Sequence, residues 1–130
     1  MSLSVRQRRI FVVDDEEIIA ATLALILRKQ GFNATSFTHP QEALEASRTD
    51  APDLLISDVV MPMLNGIELA IQIRHVRPEC KVLLFSGQAD TQNLLEAAQT
   101  RGNHFEVLSK PVHPTDLLKK IKEQFGFASA

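Results

Sequence analysis

The chain has 130 residues, of which 45% are hydrophobic and 23% charged, which is enough for one globular domain with a substantial core. Its net charge of −2 gives no general attraction to nucleic acid or to anionic lipid, so we expect direct contact with neither. Cys80 is the single cysteine, no apolar run approaches the roughly 20 residues that span a bilayer, and nothing directs export, so we expect a cytoplasmic protein.

The first half of the chain predicts three strands separated by two helices. In order, these are a strand over 10–13, a helix from Glu16 to Gly31, a strand over 32–37, a helix from His39-Pro40 to Ala51-Pro52 and a strand over 54–58. The first helix is indicated by apolar residues at helical spacing on one face, namely Ile19, Leu23, Ile26 and Leu27. The third strand is a short apolar run between polar residues, which is typical of a strand buried on both faces.

The second half continues the alternation. It predicts a helix that follows an Asn65-Gly66 turn and ends before Pro78, a strand over 81–85, a helix that Asp90 could cap and that ends at Gly102, a strand over 105–108 and a helix from His113-Pro114 to Gly126. Strict alternation of strand and helix favours a parallel sheet with helices on both faces. We therefore predict an α/β fold, a flavodoxin-like doubly wound (βα)5 sheet with strand order 2-1-3-4-5. The domain should cover residues 9–126, with 1–8 and 127–130 as flexible termini.

Polar side chains occur where the predicted strands end. Asp14 and Asp15 follow the first strand, Asp58 ends the third, Ser86 follows the fourth and Lys110 follows the fifth. Because the carboxyl ends of parallel strands lie at one edge, these side chains should converge. Three close carboxylates need a counter-charge, and an oxygen-only cluster favours Mg²⁺ over zinc. A divalent cation and an ammonium beside a carboxylate suit a phosphoryl group.

Each of these residues also has an ordinary structural explanation. Asp15 or Glu16 could cap the first helix, Ser86 could be a turn hydroxyl, and Lys110 could be a solvated loop residue. A single polar residue at one strand end is common by chance. Acidic residues at two strand ends, a hydroxyl at a third and an ammonium at a fourth are together much less common. We therefore favour a functional site over four unrelated residues.

The whole chain from Ile10 to about Phe125 resembles the receiver domains of two-component response regulators. The residues that carry this resemblance are Val12-Val13-Asp14-Asp15-Glu16, the run from Leu54 to Met61-Pro62, Asn65-Gly66, Ser86 and Lys110-Pro111. The resemblance implies that Asp58 accepts a phosphoryl group from a sensor histidine kinase or phosphotransfer protein. It implies self-catalysed, Mg²⁺-dependent phosphorylation and autodephosphorylation, without turnover of a separate substrate.

The resemblance also implies a role for each site residue. Asp15 and Asp58 would bind Mg²⁺ directly, together with the main-chain carbonyl of Val60, whereas Asp14 would act mainly through water. Lys110 would pair with Asp58 at rest and with the phosphoryl oxygens afterwards, and its bond to Pro111 would be cis. The Ser86 hydroxyl would move onto the phosphoryl group. That movement would change the surface formed by the fourth helix, fifth strand and fifth helix, through which the chain could form a homodimer.

Three positions depart from the usual receiver pattern: Val107, Ser86 and Val60. Val107 occupies a position where the family usually has an aromatic residue, and Phe105, two residues earlier on the same strand face, could substitute for it. Ser86 replaces the commoner threonine and keeps the hydroxyl donor. Val60, two residues after Asp58, cannot position an attacking water, whereas Gln88 can still hydrogen-bond to one. We therefore expect a phosphoryl lifetime that is not especially short.

Three other functions remain as alternatives. An aspartyl-phosphate phosphatase would need a second acid where Val60 stands. A flavin or nucleotide carrier of this fold would need a phosphate-binding first loop, which Asp14-Asp15-Glu16-Glu17 would repel. A degenerate receiver would serve as a docking module that is never phosphorylated, and the complete set of site residues argues against it. The sequence fits either a stand-alone receiver or part of a longer regulator or hybrid kinase.

Overall fold

A computed structural model of the chain describes residues 7–87 and 91–126, which form one parallel sheet covered by helices on both faces. The strands are β1 (Arg9–Val13), β2 (Asn33–Phe37), β3 (Leu54–Asp58), β4 (Lys81–Ser86) and β5 (Glu106–Ser109). The helices are α1 (Glu17–Lys29), α2 (Pro40–Ser47), α3 (Gly66–Val76), α4 (Thr91–Thr100) and α5 (Pro114–Phe125). All strand pairs are parallel and their order is β2-β1-β3-β4-β5, which confirms the predicted fold.

Each face of the sheet has its own hydrophobic core. Along β1, Phe11 and Val13 face a core shared with α2 and α3, while Ile10 and Val12 face a core shared with α1 and α5. Every residue of β3 is buried, as expected for a central strand of a doubly wound sheet. The two cores fix the heights of the strands relative to one another, and therefore the positions of their carboxyl ends.

The buried face of α1 agrees with the prediction only in part. Leu27 is buried as predicted, but the other buried residues of this helix are Ala20 and Ala24. The larger Ile19, Leu23 and Ile26 are only half-buried. Small side chains allow a helix axis to approach the sheet closely, so here the alanines occupy the contact line. In α3, Val76 is the final residue and is 42% exposed, because the last turn extends beyond the sheet.

The ends of the domain are only partly described. The predicted cap Asp90 and the predicted water ligand Gln88 lie outside the described residues, as do residues 1–6 and 127–130. Arg8 belongs to the segment predicted to be flexible, but its carbonyl accepts a hydrogen bond from the amide of Asn33 at 2.9 Å. Its guanidinium also lies 5.1 Å from the centre of the Phe125 ring, so Arg8 joins β2 to the end of α5.

A partly buried ion pair lies at the amino edge of the sheet, just before β3. Asp53 accepts a 2.7 Å hydrogen bond from the amide of Arg9, and its other oxygen lies 2.8 Å from a guanidinium nitrogen of Arg77. The two contacts tie β1, β3 and the end of α3 together.

In residues 7–87 and 91–126, no helix combines the length and apolar character needed to cross a bilayer.

Candidate metal and phosphoryl site

Two neighbouring strands at the centre of the sheet carry the acidic residues. Asp14 follows β1 directly and Asp58 is the last residue of β3, which pairs with β1 through Val13 and Ser57. One carboxylate oxygen from each of Asp14, Asp15 and Asp58 lies within 4.8 Å of the other two. Asp14 and Asp58 are buried, at 1% and 8% exposure, while Asp15 is exposed. The predicted convergence of the three acids is therefore observed.

Asp14 is held firmly by its neighbours. Its Oδ1 accepts a 2.9 Å hydrogen bond from the amide of Glu16, and its own amide donates to the carbonyl of Phe37 at 3.1 Å. Glu16 occupies the N-cap position of α1 but makes no side-chain capping bond. The start of α1 is therefore supported by Asp14, which leaves Asp15 pointing to the surface beside the cluster.

Lys110 connects the acids to the opposite half of the sheet. Its ammonium nitrogen lies 3.2 Å from Asp58 Oδ2 and 3.3 Å from Asp14 Oδ2. Its main-chain amide donates to the carbonyl of Ser86 at 3.0 Å, and its peptide bond to Pro111 is cis. Lys110 is therefore not an unpartnered loop lysine, because it bridges two buried carboxylates.

Ser86 ends β4 at the height of the acids. Asp58 pairs with Phe85 in the β3–β4 register, so Ser86 is the first β4 residue beyond Asp58, and its partner on β5 is Ser109. It is half-exposed. This register places all five predicted residues at one edge of the sheet.

Burial is the main cause of the raised pKa of Asp58. It outweighs the attraction of Lys110, which lowers this pKa, and repulsion from Asp14 and Asp15 raises the pKa further. Burial opposes the charged form of Lys110, but the charges of Asp14 and Asp58 outweigh that effect and raise its pKa. With one ammonium facing three acids, the protein's own groups leave the site short of positive charge.

The donor set fits a hard divalent cation such as Mg²⁺. All the candidate ligands are oxygen atoms, and the three carboxylates already lie close enough to share one ion. Val60, whose main-chain carbonyl is the further predicted ligand, lies two residues beyond β3, and its side chain is 43% exposed. The charge of Lys110 alone does not offset the effect of burial on the pKa of Asp58, and a bound cation would favour the ionised carboxylate further.

The attachment of α3 to this edge was not predicted from the sequence. Asn65-Gly66 was expected to form a turn, but Asn65 is the N-cap of α3 and accepts a 2.8 Å hydrogen bond from the amide of Glu68. The amide of Gly66 donates to the carbonyl of Val59, also at 2.8 Å. This cap could have been predicted, because an asparagine followed three residues later by a glutamate is a pattern of helix N-termini.

Val107 and Phe105 face the same side of the sheet, as predicted. Val107 lies within β5, Phe105 comes just before that strand, and both pack against the core shared with α2 and α3. The guanidinium of Arg74 lies 5.1 Å from the centre of the Phe105 ring and donates to the carbonyl of Cys80 at 3.0 Å. Cys80 itself is buried, which raises the pKa of its thiol to about 12 and makes it a structural residue.

Comparison with known proteins agrees with this geometry. The family model described as the response regulator receiver domain matches residues 10–122. The response regulator receiver protein CpdR of Brucella abortus is 31% identical over 116 residues, which cover 89% of this chain and 95% of CpdR. The transcriptional regulatory protein PhoP of Bacillus subtilis is 28% identical, over 88% of this chain and 47% of PhoP, so the chain spans about half of that relative's length.

Solved structures show the same similarity. A CheY-like receiver domain protein from Methanospirillum hungatei superposes with a TM-score of 0.82 and 28% identity, covering 92% of this chain and 94% of that one. A BeF3-activated DrrB receiver domain gives a TM-score of 0.78 and 25% identity, covering 92% and 98%. The family model, the curated relatives and the edge of the sheet all indicate the same conclusion: the chain belongs to the receiver domains of two-component response regulators.

Proposed function

We propose that Asp58 accepts a phosphoryl group from a phosphohistidine, in a reaction that the receiver itself catalyses with Mg²⁺. The observation that carries this proposal is the contact between Lys110 and Asp58 at 3.2 Å, beside a cluster of three carboxylates. Asp58 lies closest to Lys110 among the acids and forms the end of a central strand, which fixes its direction. A carboxylate is a weak nucleophile, so its acceleration must come from position and charge.

The chemical step exchanges one bond to phosphorus for another. An oxygen of Asp58 attacks the phosphorus, the bond between phosphorus and the imidazole nitrogen breaks, and the imidazole leaves with that electron pair. An acyl phosphate results on Asp58. Bound Mg²⁺ would supply charge neutralisation for the phosphoryl oxygens. Lys110 stands where it can contact the same oxygens, and the Ser86 hydroxyl is a side-chain donor at the end of β4.

Within the cluster, we assign the direct metal ligands to Asp15, Asp58 and the main-chain carbonyl of Val60, and an indirect role to Asp14. Both carboxylate oxygens of Asp14 are already engaged, Oδ1 by the amide of Glu16 and Oδ2 by Lys110. Asp14 is also 1% exposed, whereas Asp15 faces solvent. Contact between Asp14 and the ion through water agrees with these existing bonds.

The phosphodonor would be a sensor histidine kinase or a phosphotransfer protein. An apolar groove of about 400 Å³ begins at Lys110 and runs along α1, lined by Glu16, Ile19, Leu23, Phe85, Pro111 and Val112. Further out on α1, Ile18 is 80% exposed and Leu25 is 50% exposed. An apolar helix surface that leads to the phosphoacceptor suits a helical partner that carries the histidine.

We extend the proposal to the remaining predicted properties. Phosphorylation would alter the α4-β5-α5 surface and could pair two copies through it, although α4 carries only one charged residue, Glu96. On this surface Glu106 of β5 is already paired with Lys120 of α5 at 2.7 Å. Autodephosphorylation, a cytoplasmic location and the absence of direct nucleic-acid contacts by this chain remain predictions. The alternative is a degenerate receiver that docks without phosphorylation, and Val107 is the feature that favours it.

The test is incubation with acetyl phosphate and Mg²⁺, followed by intact-mass measurement. We expect the mass of one phosphoryl group to be added to the wild type and to be absent from Asp58→Asn. Asp50→Asn is the matched control, because Asp50 is an exposed acid at the opposite edge of the sheet and should leave labelling unchanged. No labelling of the folded wild type by acetyl phosphate, together with no beryllofluoride binding, would establish the degenerate alternative.

A further inference from the structure

The loop between β3 and α3 presents Met63 in an unusual way. Its side chain is 93% exposed, and its φ of 73° is the left-handed conformation that residues with a Cβ rarely adopt. Among the residues that the structure describes, Met63 has the most exposed large hydrophobic side chain and is the only non-glycine with positive φ. A large apolar side chain held out into solvent is accessible to a partner.

Met63 stands beside a cavity of about 780 Å³ between its own loop and the start of α2. The residues of this cavity that matter here are Asp15, Glu17, His39, Glu42, Pro62 and Met63. The cavity shares no described lining residue with the groove along α1, and most of its wall comes from the start of α2 and the loops before α2 and α3. It is therefore separate from the surface proposed for the phosphodonor.

The charge of the cavity identifies the kind of ligand that fits. Asp15, Glu17 and Glu42 contribute carboxylates to its wall, while His39 is the only basic side chain among the described residues that line it. Pro62 and Met63 add an apolar side to this acidic wall. A phosphate or an acidic segment would be repelled here, whereas a lysine or arginine next to an apolar side chain would match both parts of the surface.

We propose that this cavity, the Met63 cavity, docks a segment of a partner protein that combines basic residues with an apolar side chain packed on Met63. Docking itself does not depend on the phosphorylation of Asp58. Its regulation does rest on the proposed function, because Asp15 belongs both to the cavity wall and to the carboxylate cluster. A cation bound to Asp15 repels a basic segment, so metal loading weakens docking, and by linkage docking weakens metal binding.

The experiment begins with selection of a random dodecapeptide library on the immobilised protein in EDTA. Selected peptides are then titrated by fluorescence anisotropy, and their contact sites are mapped from backbone amide NMR shifts. We expect peptides rich in lysine or arginine with an apolar residue, and shifts at Met63 and around His39 and Glu42. Met63→Gly and Glu42→Gln should each weaken binding about tenfold or more. Leu94→Gln is the control, since it changes an exposed apolar residue of α4 and should leave binding unchanged.

The other outcomes overturn the proposal. Enrichment of acidic or uncharged peptides would remove the assigned ligand chemistry, and shifts confined to α1 or α4 would assign the binding to another surface. Self-association that Met63→Gly abolishes would make the occupant a second copy of this chain. If docking occurs but Mg²⁺ leaves it unaltered, the link to the carboxylate cluster is wrong, while phosphorylation of Asp58 is judged separately by the acetyl phosphate experiment.

Discussion

Gly66 lies so close to Asp58 that no side chain fits between them. A Cβ on Gly66 would collide with the main-chain carbonyl of Asp58, and it would lie 2.9 Å from the hydroxyl oxygen of Ser57. The colliding group is backbone of a central strand, which cannot rotate away as a flexible side chain can. The first residue of α3 is therefore packed directly against the chain segment that carries the proposed phosphoacceptor.

We predict that Gly66→Ala lowers the free energy of unfolding by about 1–3 kcal/mol, because the added methyl overpacks a fixed site. Urea denaturation measures this loss. Gly87→Ala is the matched control, since its Cβ would meet the Lys110 side chain at an ordinary 3.6 Å. Equal stabilities for the two variants would show that α3 can move away from β3 at little cost.

The raised pKa of Asp58 predicts a pH-dependent stability. Since the folded protein holds this proton more tightly than the unfolded chain, stability should fall as pH rises from the ordinary value of 3.8 through the raised folded value. At neutral pH the ionised carboxylate retains that cost, so Asp58→Asn should be more stable than the wild type. Urea denaturation at neutral pH and near pH 4 should show the gain shrinking in acid, and a gain independent of pH would contradict the explanation.

Addition of Mg²⁺ should stabilise the wild type, because the ion relieves repulsion that exists only in the folded state. At about ten times its dissociation constant, one bound ion contributes roughly 1.4 kcal/mol. Thermal unfolding with and without EDTA measures the effect, which should be strongly reduced in Asp15→Asn. Glu45→Gln, which changes an exposed acid paired with Arg48, should respond to Mg²⁺ as the wild type does.

The partly buried ion pair at the amino edge should matter for stability and not for phosphorylation. Asp53→Asn removes the 2.8 Å pair with Arg77, whose side chain is 28% exposed and still lies 3.9 Å from Glu79, so we expect a loss of roughly 1–3 kcal/mol. Glu45→Gln removes an exposed pair with Arg48 and should cost about 1 kcal/mol or less. Urea denaturation separates the two, while the extent of acetyl phosphate labelling of folded Asp53→Asn should match that of the wild type.

Met63→Gly should leave stability unchanged or raise it by up to about 1 kcal/mol, although a large side chain is removed. Glycine adopts a φ of 73° without strain, and the greater entropy of glycine in the unfolded chain offsets part of the gain. Thermal unfolding provides the measurement. A clear loss of stability would mean that the Met63 side chain packs against its own protein, which would also weaken the case for the Met63 cavity.

The fold and the composition of the site could be predicted because both depend on local patterns repeated along the chain. Short apolar runs that end in Asp58 or precede Lys110 identify strand ends, and parallel topology then brings those ends together. The burial of Ala20 in place of Ile19 could not be predicted, since it depends on how closely α1 approaches the sheet.

The charge interactions within the site could not be predicted from the sequence. The sequence identifies the acids and the lysine, but it does not show that the Lys110 ammonium contacts both Asp14 and Asp58. Those contacts follow from the three-dimensional placement of β5 relative to β1. The same is true of the raised pKa of Asp58, which results from burial by residues far away in the chain. Phe105 was assigned to a strand by its apolar character, although the strand begins at Glu106.

Asp58 and Lys110 are attached to strands that differ in burial, and hydrogen exchange can detect that difference. Asp58 belongs to a strand whose five residues are all buried, whereas β5 is a four-residue edge strand with no buried residue. Local opening of β5 would withdraw the ammonium and leave the carboxylates in place. Amide protons of β5 should therefore exchange faster than those of β3, and a ligand that engages Lys110 should slow the exchange of β5 in particular.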